Sequence, residues 1–217
     1  TTASLHSHFR IVRMIRDEIE RRQIEPLGEN LILKILSQGE QNNKLIEVAK
    51  AGQLIRTKQL IRIGADVNSA DQYGKTALMW ASQHGHSSIV ELLLGTKAID
   101  VNSANQYGKP ALMWASQHGH SSVVELLLGT KAIDVNITHR GGDTALIYAS
   151  IGGNADIIKM LIGAGADITA TNSCGYTALT MASTYSHYRI VRMIQEEIAA
   201  ESSNPNTFSL QELNRFS

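Results

Sequence analysis

The chain has 217 residues, 43% of them apolar and 18% charged, which is ordinary for a folded globular protein. Its 20 acidic and 20 basic side chains cancel, so no global field favours nucleic acid or an anionic membrane surface, both of which draw on a basic excess. The longest apolar runs, such as Leu92–Leu94, fall far short of the roughly 20 residues that cross a bilayer. No signal-peptide pattern opens the sequence, and its single cysteine, Cys174, has no internal partner for a disulfide, so a soluble chain in a reducing compartment is expected.

Residues 7–19, SHFRIVRMIRDEI, recur as residues 186–198, SHYRIVRMIQEEI, with changes only at Phe9/Tyr188, Arg16/Gln195 and Asp17/Glu196. Ile11, Met14, Ile15 and Ile19 stand at helical spacing and predict an amphipathic helix. It reads as the second helix of a terminal repeat whose first half is missing. The motif begins almost at Thr1, so an excerpt from a longer protein is expected rather than a complete leading cap. Pro26 and Gly28 break the helix. Asn30 then caps a short apolar helix, Leu31–Leu36, closed by Gly39. Together these make residues 1–37 a leading segment.

From Asn43 the run LIEVAKAGQLIRTKQLIRIGADVN predicts two helical segments around Gly52, then a turn at Gly64 and a loop at Asp66–Asn68. The next two units are nearly the same 34 residues written twice. Residues 71–104 and 105–138 differ only at Asp71/Asn105, Thr76/Pro110, Ile89/Val123, Ser103/Ile137 and Ala104/Thr138. Two further units, 139–171 and 172–204, are each 33 residues long. A period near 33 signals a solenoid of stacked supersecondary units, here 38–70, 71–104, 105–138, 139–171 and 172–204. Arg56 stands where the copies have Ile89 and Val123, as suits a first unit with one unburied face. Gln195, Glu196 and Glu197 make the last helix polar, as suits a closing cap. Residues 205–217 are a tail with an amphipathic pattern at Phe208–Phe216.

Within a copy, Gly74 permits the positive φ of a turn, and Thr76 is placed to cap a first helix. Leu78, Ala81 and Ser82 share one narrow face of that helix. Gly85 ends it, and Ile89, Val90, Leu92, Leu93 and Leu94 form a second, more apolar helix. One unit cannot bury those side chains alone, so neighbours supply the core.

The runs GKTALMWASQHGH, SIVELLL and DVN, with GDTALIYAS, IIKMLIGAGAD and GYTALTMAS further on, resemble the ankyrin repeat pattern of turn glycine, T-P-L-H-x-A-A, G-H, V-x-x-L-L and G-A-D-V-N. The resemblance spans about residues 38–204. It implies an all-α solenoid of helix–turn–helix units with β-turn fingers and a concave binding face. Three departures stand out. The family's histidine is replaced by Met79, Met113, Ile147 and Thr180, so its polar bridging is lost. Pro110 replaces a capping threonine. Both near-copies carry one extra residue in GTKAID, where the loop should differ.

By the same resemblance, recognition falls to finger tips and the exposed edge of each first helix. Those positions hold Gln72, Tyr73, Lys75, Trp80, Gln83 and His84, then Gln106, Tyr107, Lys109, Trp114, Gln117 and His118. The strip continues through Arg140, Asp143 and Tyr148, then Tyr176, Met181 and Tyr185. Trp80 and Trp114 either pack between fingers and helices or anchor a partner, as large aromatics often do. The pairs His84/His86 and His118/His120 are poor metal sites, since residues two apart on a helix do not face each other and no cysteine or carboxylate completes a ligand set. His86 and His120 instead match the family's G-H position and are expected to bond backbone within the helix–turn–helix. Asn68, Asn102 and Asn136 resemble family positions that are hydroxylated in some animals, but read more simply as turn-stabilising asparagines.

No phosphate loop, H-E-x-x-H or paired cysteine is present, and Ser82/His84 with Ser116/His118 lack a third triad member. The expectation is a non-enzymatic module, without cofactor, metal or nucleic acid, that binds a protein partner; its oligomeric state is open, with a monomer favoured. Alternatives are a targeting segment of a larger enzyme, and a structural spacer or oligomerising element. Near-identical tandem copies also look like those in ankyrin proteins of intracellular bacteria as well as of eukaryotes; the bacterial likeness would make the chain part of a secreted effector in a host cytosol, and a cytoplasmic location is expected either way.

Overall fold

The computed structural model describes Met14, residues 33–34 and residues 36–203. The helix expected at residues 7–19, most of the leading segment and the tail lie outside the described residues. The described residues form ten helices in five pairs. These are α1 (Gln38–Lys50) and α2 (Leu54–Arg62), α3 (Ala77–Gln83) and α4 (Ser87–Leu94), α5 (Ala111–His118) and α6 (Ser121–Leu128), α7 (Ala145–Gly152) and α8 (Ala155–Gly163), and α9 (Ala178–Thr184) and α10 (Tyr188–Ser202). First helices pack against first helices of the neighbouring units, and second helices against second helices, so two helical layers run along the stack. Among the described residues the only β-pairing is two isolated bridges, Ala70 with Thr76 and Ala104 with Pro110, at the bases of two fingers. The fold is an all-α repeat solenoid.

Local chemistry sets the helix boundaries. The Thr76 and Thr144 hydroxyls accept from the N–H groups of Met79 and Ile147, both at 3.3 Å. Pro110 offers no such acceptor, yet its extended backbone still launches α5. One expectation fails at the leading edge, where Gly39 does not close a helix. It sits in the first turn of α1, because Ser37 and Glu40 form a reciprocal capping box that starts the helix at Gln38. The S-x-x-E signal for this start was present in the sequence.

The core follows the small-face, large-face pattern. Leu78, Ala81 and Ser82 of α3 are buried, as are Ile89, Val90 and Leu93 of α4. Leu92 and Leu94 are only half-buried, because a helix lying on one layer hides one stripe and leaves its flanks wet. Each fully buried leucine contributes about 1.5–3 kcal/mol relative to exposure. Met79, Met113 and Ile147, at the family's histidine position, are buried apolar contacts. Thr180, at the same position in the last unit, closes a capping box with Thr177 instead. Arg56 is exposed on the first unit.

The extra residue in the two central copies changes the loop locally. Gly64 and Gly165 leave their second helices with φ of 99° and 87°, whereas Gly95 and Gly129 stay right-handed at −70° and −69°. Thr96 and Thr130 then donate their hydroxyls to Leu93 and Leu127 carbonyls at 2.7 Å. Beyond the loop the register recovers. Asn68 donates to the Ala98 carbonyl at 2.6 Å and accepts from the Asp100 N–H at 2.9 Å. Asn102 repeats this with Ala132 and Asp134, and Asn136 with Gly165 and Asp167. These asparagines are bridges between neighbouring units.

Candidate functional site

Each finger is closed by one acceptor at its base. Asp71 Oδ1 accepts from the N–H groups of Tyr73 and Lys75, both at 2.9 Å. Asn105 does the same for Tyr107 and Lys109 at 3.0 Å, and Asn172 for Cys174 and Tyr176. His139 Nδ1 takes this place in the fourth unit, accepting from the Asp143 N–H at 3.0 Å. Fingers are tied in series by backbone bonds from Gln106 to Tyr73, Arg140 to Tyr107 and Ser173 to Gly141.

This closure turns two of the expected tip contacts inward. Lys75 and Lys109 are only 8% and 6% exposed, so they are interior side chains and not solvent-facing tips. Their ammonium groups interleave with aromatic rings. Lys75 Nζ lies 3.9 Å from the Trp80 centroid and 3.6 Å from that of Trp114. Lys109 Nζ lies 4.0 Å from Trp114 and 3.7 Å from Tyr148. Lys50 Nζ, at 4.1 Å from Trp80, begins the series. The result is a ladder, Lys50–Trp80–Lys75–Trp114–Lys109–Tyr148, that crosses four units. Each cation–π contact of this kind contributes roughly 0.5–2 kcal/mol according to its desolvation.

Gln83 and Gln117 anchor the two buried ammoniums: Lys75 donates to Gln83 Oε1 at 2.5 Å, and Lys109 donates to Gln117 Oε1. Burial nonetheless lowers the Lys75 pKa, and pushes Lys109 down to about 8, with the nearby Lys75 charge adding to the effect. Burial raises the Tyr148 phenol, and the Asp143 charge raises it further. The indoles differ: Trp80 Nε1 donates to Asp71 Oδ2 at 2.9 Å, whereas Trp114 Nε1 is buried without an acceptor.

The remaining expected residues fall into two groups. Gln72, Tyr73, His84, Gln106, Tyr107, His118, Arg140, Tyr176 and Tyr185 are exposed. Trp80, Gln83, Trp114, Gln117, Asp143, Tyr148 and Met181 are half-buried. The ladder stops at Tyr148, because Asp143 stands where a lysine would continue it and Met181 where a ring would. Asp143 Oδ1 instead accepts from Asn172 at 2.7 Å. Tyr176, Met181 and Tyr185 therefore lie on the same row without joining the ladder. Lys50 was missed from the sequence, because the later units carry Gln83 and Gln117 at its place in the repeat and so do not mark it as a cation.

The histidines divide as well. His84 and His118 donate Nδ1–H to the Trp80 and Trp114 carbonyls at 3.0 and 2.9 Å, and their rings lie 5.7 and 6.0 Å from the indoles. His86 and His120 do bond backbone, but across the unit boundary and not within their own. Their Nε2–H groups reach the Lys50 and Gln83 carbonyls at 3.1 and 3.0 Å. His187 does the same with Ile151 at 3.1 Å. Among the described residues no cluster of His, Cys, Asp or Glu has the arrangement of a metal site. An open cleft of about 410 Å³ lies between α1 and the first finger, lined by Glu47, Lys50, Asp71, Tyr73 and Trp80 among others.

Serial helix pairs, fingers bonded in register and a side-chain ladder across them define a repeat-built recognition module. Two ankyrin-repeat family descriptions match the chain, one of three copies over residues 45–139 and one of many copies over residues 129–182. Together they cover more than half of it, and the chain belongs to the ankyrin repeat family. It is similar to the ankyrin repeat domain-containing protein SAT10 of Stachybotrys chartarum, with 32% identity over 40% of this chain and 5% of that protein. Human ankyrin repeat domain-containing protein 40 is 37% identical over 30% of this chain and 18% of its own length. A probable E3 ubiquitin-protein ligase of rice, XBOS33, is 37% identical over 36% of this chain and 15% of its own. The chain thus spans a small fraction of the relatives it matches. Ankyrin repeats are protein–protein interaction modules and are generally non-catalytic. Among the described residues no helix is long and apolar enough to cross a membrane.

Proposed function

We propose that the chain binds a partner protein on the face made by its fingers and first helices, centred on the second and third units. The observation that carries this reading is the ladder itself. Two half-buried indoles are packed against lysine ammoniums, on units whose finger tips carry the exposed rings of Tyr73 and Tyr107. Rigid aromatics at low entropic cost are favoured anchors in protein interfaces. An affinity capture comparing wild type with a Tyr73→Ser/Tyr107→Ser variant, whose exposed rings carry no core, tests it. A partner retained by wild type and lost by the variant is expected. Equal retention by a Trp80→Ala/Trp114→Ala variant that stays folded would refute the assignment of this face.

A second reading, as a targeting segment of a larger enzyme, draws on the rice relative, whose name marks a probable ligase. The sequence flanking this chain in its full-length protein tests that reading. The bacterial-effector expectation rests on the near-identity of the two copies, whereas the relatives named above are fungal, human and plant proteins; it stays an expectation.

A further inference from the structure

Lys75 and Lys109 are more than nine-tenths buried, yet no carboxylate of the described residues lies within ion-pair distance of either ammonium. Each has three N–H donors and a single hydrogen-bond acceptor, a glutamine carbonyl. The aromatic faces around them attract positive charge but carry none that is negative. A buried cation without a counter-charge is costly, and burial leaves Lys109 easier to deprotonate than an ordinary lysine. A methionine would fill the same slot between two rings without that cost.

The two near-copies sharpen the point. In the first, Asp71 brings a carboxylate to the finger base, where Oδ2 accepts from Trp80 and the charge favours the protonated form of Lys75. In the second, Asn105 keeps the finger closed through Oδ1 but carries no charge, and the Trp114 indole N–H is left without an acceptor. The second finger thus repeats the lysine and the tryptophan of the first without a carboxylate at its own base; the negative charge that reaches Lys109 is that of Asp143 in the next unit, and burial outweighs it.

We infer that the partner's contact segment is acidic, and that an Asp or Glu side chain of the partner lies over the face formed by the fingers and first helices, beside the Trp80 and Trp114 rings, to pair with Lys75 and Lys109. The inference rests on the concave-face reading and names the chemistry that this face selects. A partner carboxylate there supplies the charge that Asn105 lacks, and a charge-assisted bond to a desolvated ammonium is among the stronger polar contacts. The segment is peptide and not nucleic acid, because the chain as a whole carries no net positive charge to hold a phosphate backbone.

The test selects a random displayed dodecapeptide library on the folded protein and measures binding of the recovered peptides by tryptophan emission. Trp80 and Trp114 are the only two tryptophans in the chain, so emission reports this site directly. Expected are peptides containing Asp or Glu that perturb the emission and weaken at least tenfold on Lys75→Met/Lys109→Met. They should weaken comparably when the peptide's Glu is changed to Gln, an arm that leaves the protein untouched and stands even where the lysine variant misfolds. Peptides that perturb the emission but are neutral, or that ignore both exchanges, overturn the acidic-partner inference and leave the concave-face reading intact. Recovery of peptides that leave the emission unchanged, or of none at all, overturns both.

Discussion

The indole N–H of Trp80 donates to Oδ2 of Asp71 at 2.9 Å, and one unit further on the same indole N–H of Trp114 has no acceptor. The difference traces to one of five exchanges between otherwise equal copies. Asn105 commits its only oxygen to the N–H groups of Tyr107 and Lys109. Asn105→Asp keeps that oxygen and adds a second, so it is expected to raise stability by about 1 kcal/mol, read as a higher urea midpoint. Asp71→Asn should lower the midpoint by a similar amount. A lower midpoint for Asn105→Asp would mean that burying the carboxylate outweighs the new bond.

Stability should also depend on pH through Lys109. Its pKa is about 8 in the fold against 10.5 for an ordinary lysine, so between those values the unfolded chain holds a proton that the folded chain has released. Stability contributed by this group therefore rises with pH across that window. Lys109→Met should remove the rise and, near neutral pH, exceed wild type by about 1 kcal/mol after discounting for solvent screening. Tyr148 acts oppositely above about pH 10, since its raised pKa makes the folded chain keep its proton longer. Urea unfolding of both proteins between neutral pH and the onset of tyrosine ionisation checks this; a difference that does not change with pH refutes it.

Two substitutions at equivalent turns should act in opposite directions. Gly85 has φ of 73°, and a Cβ there would stand 2.6 Å from Nδ1 of His120 in the next unit. Gly85→Ala is expected to cost about 2–3 kcal/mol, from backbone strain and displacement of that ring. Ser186 occupies the corresponding turn of the last unit at φ 61°. Ser186→Gly should relieve the strain and gain roughly 0.5–1 kcal/mol net of the added freedom of the unfolded chain. Thermal melts moving the same way for both variants would contradict this account.

Leu93 and Leu127 are fully buried at the second-helix layer. Replacing either with alanine should cost about 2–5 kcal/mol, whereas Leu92→Ala, at a half-buried flank, should cost clearly less. Equal losses for Leu92 and Leu93 by denaturant titration would overturn the assignment of the buried stripe.

What the sequence revealed was what repeats or acts locally. The period, the threonine caps, the turn at Gly85 and the buried stripe of α4 all depend on residues a few positions apart. The inward turn of Lys75 did not show, because its direction is set by Gln83 and by Trp114 a full unit away. The reach of His86 to the Lys50 carbonyl was hidden for the same reason. Asp71/Asn105 looked conservative in the sequence, and only the position of the indole N–H gives the exchange its weight. The Ser37–Glu40 capping box stands in the sequence as S-x-x-E, but it encloses Gly39, a residue that by itself argues against a helix start.

The extra residue of the central copies ends in the loops after α4 and α6, and the asparagine bridges resume their register immediately beyond it. Unit length and stacking phase are therefore uncoupled in this protein. A grafted tag or reporter placed beside Lys97 or Lys131 would ride on a loop that has already absorbed a change in length, and the stacking of the units that carry Trp80 and Trp114 would be left as it is.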